Sequence, residues 1–204
     1  LHTALAIFGC LLGYTLISEE MKNPVLKALV EKIGYQEGLP VVVDPGIIRP
    51  ADFLAEVLNV RIPNPFMPDT PQRIATDTSQ KLPIRFGETI KAYQASDTLQ
   101  VSDLVLIPLV FAGWLRYLMG IDDQGRPFEK SPDPLLDTLT PYVEGFSLGH
   151  VADAKARLQP LLKRSDIFGV DLYECGLAEK VLLHFEEMTA QPGAVAKTLE
   201  KYTK

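Results

Sequence analysis

Cysteine is scarce in this sequence: Cys10 and Cys175 are the only two among 204 residues. Two thiols so far apart, one of them inside an apolar run, argue against a disulfide framework and against a cysteine-built zinc site. Histidine is nearly as rare. His2, His150 and His184 are widely separated, and none has a histidine or cysteine three or four positions on, so no metal-ligand spacing is present. Positive charge is in deficit, with 20 Lys+Arg against 26 Asp+Glu and a formal net charge of −6. No net basic field is available to attract phosphates, which argues against a nucleic-acid partner. Long apolar runs are missing as well. Leu1 to Ile17 is interrupted by His2, Thr3, Tyr14 and Thr15, and Leu104 to Leu115 is short, contains Pro108 and is flanked by Asp103 and Arg116. A spanning helix needs about 20 apolar residues, so both read as buried core helices and no membrane partner is expected. The chain opens at Leu1 directly in apolar sequence with no charged segment before it, which is not the pattern of a secretory signal. We read it as cut from something longer and expect a cytoplasmic location.

Nucleotide-binding signatures are absent. There is no Gly-x-Gly-x-x-Gly and no phosphate loop ending in Gly-Lys-Ser/Thr, and no Gly-x-Ser-x-Gly elbow is expected. What is present is helical periodicity in a composition that is 47% apolar and 23% charged, ordinary for a globular protein. Leu5, Phe8, Leu12 and Leu16 share one face with Ala4, Ile7 and Leu11 beside them, which predicts a buried helix. Ser18 reads as the cap of a short turn, and Pro24 as the first position of a helix running through Val25, Leu26, Leu29, Val30 and Ile33. Gly38 and Pro40 end it. Val41 to Val43 is the one strongly β-prone run. It is very short and meets the turn Asp44-Pro45-Gly46, so it reads as an extended connector rather than a sheet strand. Pro50 opens a further helix with Phe53, Leu54, Val57 and Leu58 inward. Asp69 or Thr70 caps one beginning at Pro71, and another covers Pro83 to Tyr93. Ser102 or Asp103 caps the apolar helix that carries Trp114 and Tyr117 in the core. Residues 121–134 read as loop, with a turn of helix beginning at Asp133-Pro134. Amphipathic stretches follow at His150–Leu162 and Leu177–Met188, and Pro192 opens a terminal helix ending near Tyr202. The pattern predicts an all-α, multi-helical fold, with residues 1–204 as one domain.

One stretch, Asn64 to Arg85, is dense in polar groups and entered through prolines. Arg73, Asp77 and Lys81 stand at i, i+4 and i+8. On a continuous helix Asp77 would face both cations. Such a ladder is either a solvated surface feature worth a few tenths of a kcal/mol per pair, or a site in which Asp77 orients two cations toward a polyhydroxylated or anionic ligand. Ser79 also qualifies as the cap of the helix that Pro83 enters, which would break the ladder and present Lys81 from a turn. Spacing alone leaves these open. His150 and His184 have no assigned role.

Asp77-Thr78-Ser79-Gln80-Lys81-Leu82-Pro83-Ile84-Arg85 resembles the D-x-S-Q-K-x-P-x-R signature of the polyol-specific long-chain dehydrogenases, the mannitol dehydrogenase family. Asn64-Pro65, Arg73 and the opening His2-Thr3-Ala4-Leu5-Ala6 with Gly9 and Gly13-Tyr14 are similar to that family too, so the resemblance covers essentially the whole chain. The run from Asn64 to Lys91 looks most like the family's mannonate oxidoreductase (fructuronate reductase) branch. The resemblance implies a C-terminal helical domain whose partner is the enzyme's own N-terminal, Rossmann-type domain. That partner, absent from this chain, would bind most of the NAD. It implies a metal-free hydride transfer at a secondary alcohol in the cleft between the domains, interconverting D-mannonate and D-fructuronate. Mannitol, altronate or polyol-phosphate oxidation in the same family, or a non-enzymatic helical interaction domain, are the alternatives. The family pattern Lys-x4-Asn-x2-His places His2 as the motif histidine beside the reacting centre. The lysine base and oxyanion-stabilising asparagine would then lie before Leu1. Arg73 and Lys81 match substrate-contacting cations, Lys81 as a donor to sugar hydroxyls and Arg73 as a bidentate partner for a carboxylate. Asp77 is expected to orient both from behind, and Asn64 and Arg85 are open between structural and functional roles. Without its partner domain the chain should expose apolar surface, self-associate and be inactive.

Overall fold

The apolar period of the first residues produces a helix buried on nearly every side, and the rest of the fold is assembled around it. The computed structural model describes residues 1–204. It contains α1 (His2–Leu12), α2 (Ile17–Glu20), α3 (Pro24–Lys32), α4 (Pro50–Glu56), α5 (Pro71–Ile74), α6 (Thr78–Leu82), α7 (Glu88–Gln94), α8 (Leu106–Leu118), α9 (Leu136–Leu139), α10 (Ala154–Leu162), α11 (Ser165–Phe168), α12 (Ala178–Thr189) and α13 (Ala194–Thr203). Three π-helical turns interrupt the α pattern, at Ile33–Gly38, Val57–Arg61 and Pro83–Gly87. No strand forms; two isolated bridges, Ile121 with Pro127 and Ser147 with His150, are the only β pairing. The all-α expectation therefore holds, and Val42 and Val43 are exposed extended residues after a 3-10 turn rather than a strand. No helix is long and apolar enough to cross a membrane.

The centre is α8, every residue of which is buried. It packs most extensively on α12 and also on α1. Gly113 permits the α1 contact: a Cβ there would stand 2.5 Å from Phe8 Cζ. An aromatic chain runs through the middle. Phe86 meets Phe111 edge-on at 6.0 Å, Phe111 meets Phe168 at 4.9 Å, and Phe168 meets Trp114 at 5.8 Å, each in the geometry that ring quadrupoles favour. Trp114 and Tyr117 are core residues, as their apolar helix suggested.

Several helix starts differ from the local expectation, for one physical reason. Neither Ser102 nor Asp103 caps α8. Its first N–H groups, at Val105, Leu106 and Ile107, are taken at 2.7, 2.7 and 2.8 Å by the carboxylate of Glu37, far upstream. Asp133 does the same for Ser79 in α6, and Asp123 for Val195 and Ala196 at the start of α13. Orphan donors at a helix start need an acceptor, and folding can bring one from any distance in sequence. Ser18 lies inside α2 and caps nothing. Where the acceptor is local, the expectation holds: Asn23 caps α3 ahead of Pro24, and Thr70 caps α5 ahead of Pro71. The helix predicted from His150 begins at Ala154, because Asp153 takes a left-handed backbone (φ 58°). Phe53, expected inward, is 45% exposed and sits under the Arg61 guanidinium.

Candidate substrate-binding site

The polar stretch does not form one helix. Helix α5 ends at Ile74, and Asp77 adopts φ 56°, ψ 34° before α6 begins at Thr78. A left-handed residue rotates the chain out of register, so the i, i+4, i+8 ladder of Arg73, Asp77 and Lys81 is not made. The Asp77 N–H donates to Pro132 O, while its carboxylate accepts no hydrogen bond and joins no ion pair. The two cations are instead held separately. Arg73 pairs with Asp69, one helical turn back. Lys81 Nζ donates to the Ile74 carbonyl at 2.8 Å. That bond spans the break and brings the ammonium beside the residue that follows Arg73. The two cations are thus fastened by groups other than Asp77. Ser79 does not open the helix either: its N–H and hydroxyl both bond Asp133.

Electrostatics tie this wall to α1. Burial, chiefly, pushes the Lys81 ammonium below its usual range; Arg85 and Arg73 push the same way, against the attraction of Asp77 and Asp133. His2, the first residue of α1, is half-buried, and its imidazole is also depressed, chiefly by burial, with Arg85 acting the same way. His2 is therefore neutral at pH 7, able to donate or accept a hydrogen bond. Arg85 contributes to both shifts and lines the same cavity as His2. Its role is one of two that the sequence leaves open. Asn64, its companion in that respect, uses its side-chain oxygen to hold the backbone N–H of Phe66, a turn-forming contact.

His2 and Arg85 share the rim of a cavity of about 810 Å³, mostly apolar, whose wall includes Gly34, Ile48, Phe53 and Val57. All three π-helical turns reach it, through Ile33 and Gly34, Val57, and Arg85 with Phe86. A π turn re-aims side chains that an α-helix would send elsewhere, and such turns gather at functional sites. Around the cavity the surface is unusually apolar, with Val43 86% and Ile47 88% exposed along the connecting segment.

The remaining histidines lie away from this wall. His150 is exposed, and His184 is buried against Tyr202 at 4.5 Å. A string overlooked in the sequence, Gly145-Phe146-Ser147-Leu148-Gly149, matches the Gly-x-Ser-x-Gly of a nucleophile elbow letter for letter. It is not one. No strand leads into it, and the His150 Nδ1 faces the Leu148 carbonyl at 3.2 Å instead of the Ser147 hydroxyl.

Comparison with known proteins is consistent with this geometry. Residues 1–189 match the mannitol dehydrogenase C-terminal domain. The chain is 60% identical over 201 residues to D-mannonate oxidoreductase of Thermotoga maritima, covering 98% of this chain and 37% of that protein. It is 31% identical over 204 residues to mannitol 2-dehydrogenase of Pyrenophora tritici-repentis, covering 98% and 32%. Its fold resembles that of Pseudomonas fluorescens mannitol 2-dehydrogenase, solved as a ternary complex with NAD and D-mannitol, with a TM-score of 0.82 at 24% identity, over 98% of this chain and 38% of that one. The chain thus spans about a third of the length of the curated relatives it matches. This protein belongs to the mannitol dehydrogenase family, as its C-terminal domain.

Proposed function

We propose that residues 1–204 form the substrate-side domain of an NAD-dependent oxidoreductase that interconverts D-mannonate and D-fructuronate in the cytoplasm. The observation that carries this reading is the 60% identity to a D-mannonate oxidoreductase over nearly the whole chain, about twice that to the mannitol 2-dehydrogenases. The chain's own residues do not fit a dinucleotide: they form no sheet and no glycine-rich turn that could cradle a pyrophosphate. NAD, which takes up the hydride in this chemistry, is assigned to the preceding domain. We place that domain against the apolar surface around the cavity, where Leu1 and His2 also lie. A chain lacking it is expected to be inactive and to self-associate through the same surface.

The substrate side works through hydrogen bonds and charge. In the oxidation direction the alcohol carbon loses a hydride while its hydroxyl loses a proton, and the oxygen passes through an alkoxide-like state. A neutral His2 donates to that oxygen. The base is assigned to the lysine that the family resemblance puts eight residues before His2. Lys81 spends one of its three donors on Ile74 and keeps two for sugar hydroxyls. Arg73, exposed and paired to Asp69, contributes at the outer end of the same wall. Asp77 acts through its field on Lys81 alone, raising its proton affinity against the opposing arginines.

A substrate panel on the complete enzyme tests the reading. D-Mannonate should be oxidised at least a hundredfold more efficiently than D-mannitol or D-altronate. A preference for neutral hexitols would assign the chain to the polyol branch of the family instead.

A further inference from the structure

The tripeptide Ser131-Pro132-Asp133, expected from the sequence only as the end of a loop, is bonded to the polar stretch at four points. The Ser131 hydroxyl donates to Gln72 O at 2.7 Å. The Asp77 N–H donates to Pro132 O at 2.9 Å. The Ser79 N–H donates to one carboxylate oxygen of Asp133 at 2.8 Å, and the Ser79 hydroxyl donates to the other. Building on the oxidoreductase reading, we propose that Asp133 is a positioning residue for the substrate site: it sets helix α6 in place, and Lys81 with it. Asp133 lies 54 residues beyond Ser79, outside the nonapeptide.

Helix α6 cannot hold its direction by itself. It is five residues long, too short to be stable alone. The residue before it, Asp77, takes a left-handed backbone (φ 56°) that side chains other than glycine disfavour. Such a joint persists only where its surroundings enforce it. The tripeptide reaches both sides of the joint: Gln72 lies in α5, Asp77 is the joint itself, and Ser79 lies in the first turn of α6. It is rooted in the core, since Ser131 is buried and its N–H donates at 2.6 Å to the hydroxyl of Tyr117 on α8. The Asp133 carboxylate is fixed in turn by the Leu135 N–H at 3.0 Å. Lys81 stands two residues beyond Ser79, and its ammonium bonds back across the joint to Ile74 O. The angle between α5 and α6 therefore decides where the remaining Lys81 donors point. Asp133 also acts on Lys81 by charge, and a conservative variant separates the two routes.

The test is a double-mutant cycle in the complete enzyme, with D-mannonate oxidation and the unfolding midpoint measured for each form. Asp133→Ala should lower kcat/KM at least twentyfold, mainly through KM. In a Lys81→Ala background the same substitution should cost less than threefold, because the group it positions is gone. Asp133→Asn keeps an acceptor for the Ser79 N–H and should recover kcat/KM to within fivefold of wild type. If Asp133→Ala does not fold, Ser79→Ala removes the hydroxyl arm alone. It should cost at least fivefold in the wild-type background and less than twofold beside Lys81→Ala. Losses that multiply across the two backgrounds, a kcat/KM within threefold of wild type for Asp133→Ala, or an Asp133→Asn form as poor as Asp133→Ala would overturn the positioning role while leaving the oxidoreductase reading intact. A wild-type enzyme that does not oxidise D-mannonate would overturn both.

Discussion

The helices around α8 and the face around the cavity are both rich in apolar side chains but finish in opposite states. In the first, Phe111, Trp114, Phe168 and Phe185 are buried to within 1% of their surface, and each ring meets another. In the second, Val43 and Ile47 are almost wholly in water. The helices also differ. Those of the core are regular, whereas the cavity is ringed by three π turns and by connecting segments held by proline and Asx turns. The difference shows which part of the chain satisfies itself. Burying an aromatic side chain stabilises by about 2–3 kcal/mol, and the core collects this internally. The cavity face collects it only when something else covers it.

Truncation is the coarsest way to break the comparison. Trp114→Ala should lower the unfolding free energy by about 3–5 kcal/mol, whereas Val43→Ala or Ile47→Ala should change it by less than about 0.5 kcal/mol. Urea titration checks both, and a large loss at Ile47 would mean that the face is already closed.

Two buried titratable groups sharpen the contrast through pH. Glu20 lies beside the site, its carboxyl against Gly9 of α1 and Pro71 at the start of α5, with no hydrogen-bond partner. Burial raises it to about 9. The folded state therefore holds a proton that the unfolded chain releases near 4.5, and stability falls as pH rises from 4.5 toward 9. The loss at pH 7 is roughly 3 kcal/mol, and Glu20→Gln should abolish that slope. His184, at the far end between α12 and α13, has the opposite sign. Burial lowers it to about 4, so its contribution is complete above 6.5 and is lost as pH falls through that value toward 4. The loss is roughly 2 kcal/mol at pH 5, and His184→Phe should remove it. Denaturation midpoints measured from pH 4.5 to 8.5 should show the two slopes disappearing separately. A variant that keeps the wild-type profile would contradict the assignment for its residue.

How much of this was legible in the sequence depends on the range of the interaction. The buried helices α1, α8 and α12 followed from apolar periodicity, because packing on one face leaves its period in the chain. The caps of α3 and α5 followed because Asn23 and Thr70 lie next to the donors they satisfy. The caps of α6, α8 and α13 did not, because Asp133, Glu37 and Asp123 come from elsewhere in the chain. At the candidate site, the nonapeptide carries Lys81, whose ammonium is tied back to Ile74, the residue after Arg73. The i, i+4 spacing that suggested Asp77 as their common partner was misleading, since one left-handed residue dissolves a helical ladder without altering its spacing. Arg85 closes that nonapeptide, but its difference from the other arginines is a lack of partners, which exists only once the chain is folded.

The most direct test of the account is the kcat/KM for D-mannonate of the complete enzyme carrying Lys81→Ala, with the unfolding midpoint measured alongside. The ammonium is half-buried and aimed by a single backbone carbonyl, so its removal should cut kcat/KM at least a hundredfold while the midpoint shifts by no more than the loss of one hydrogen bond, about 1 kcal/mol. Turnover within threefold of wild type, in a folded variant, would show that this wall does not hold the substrate.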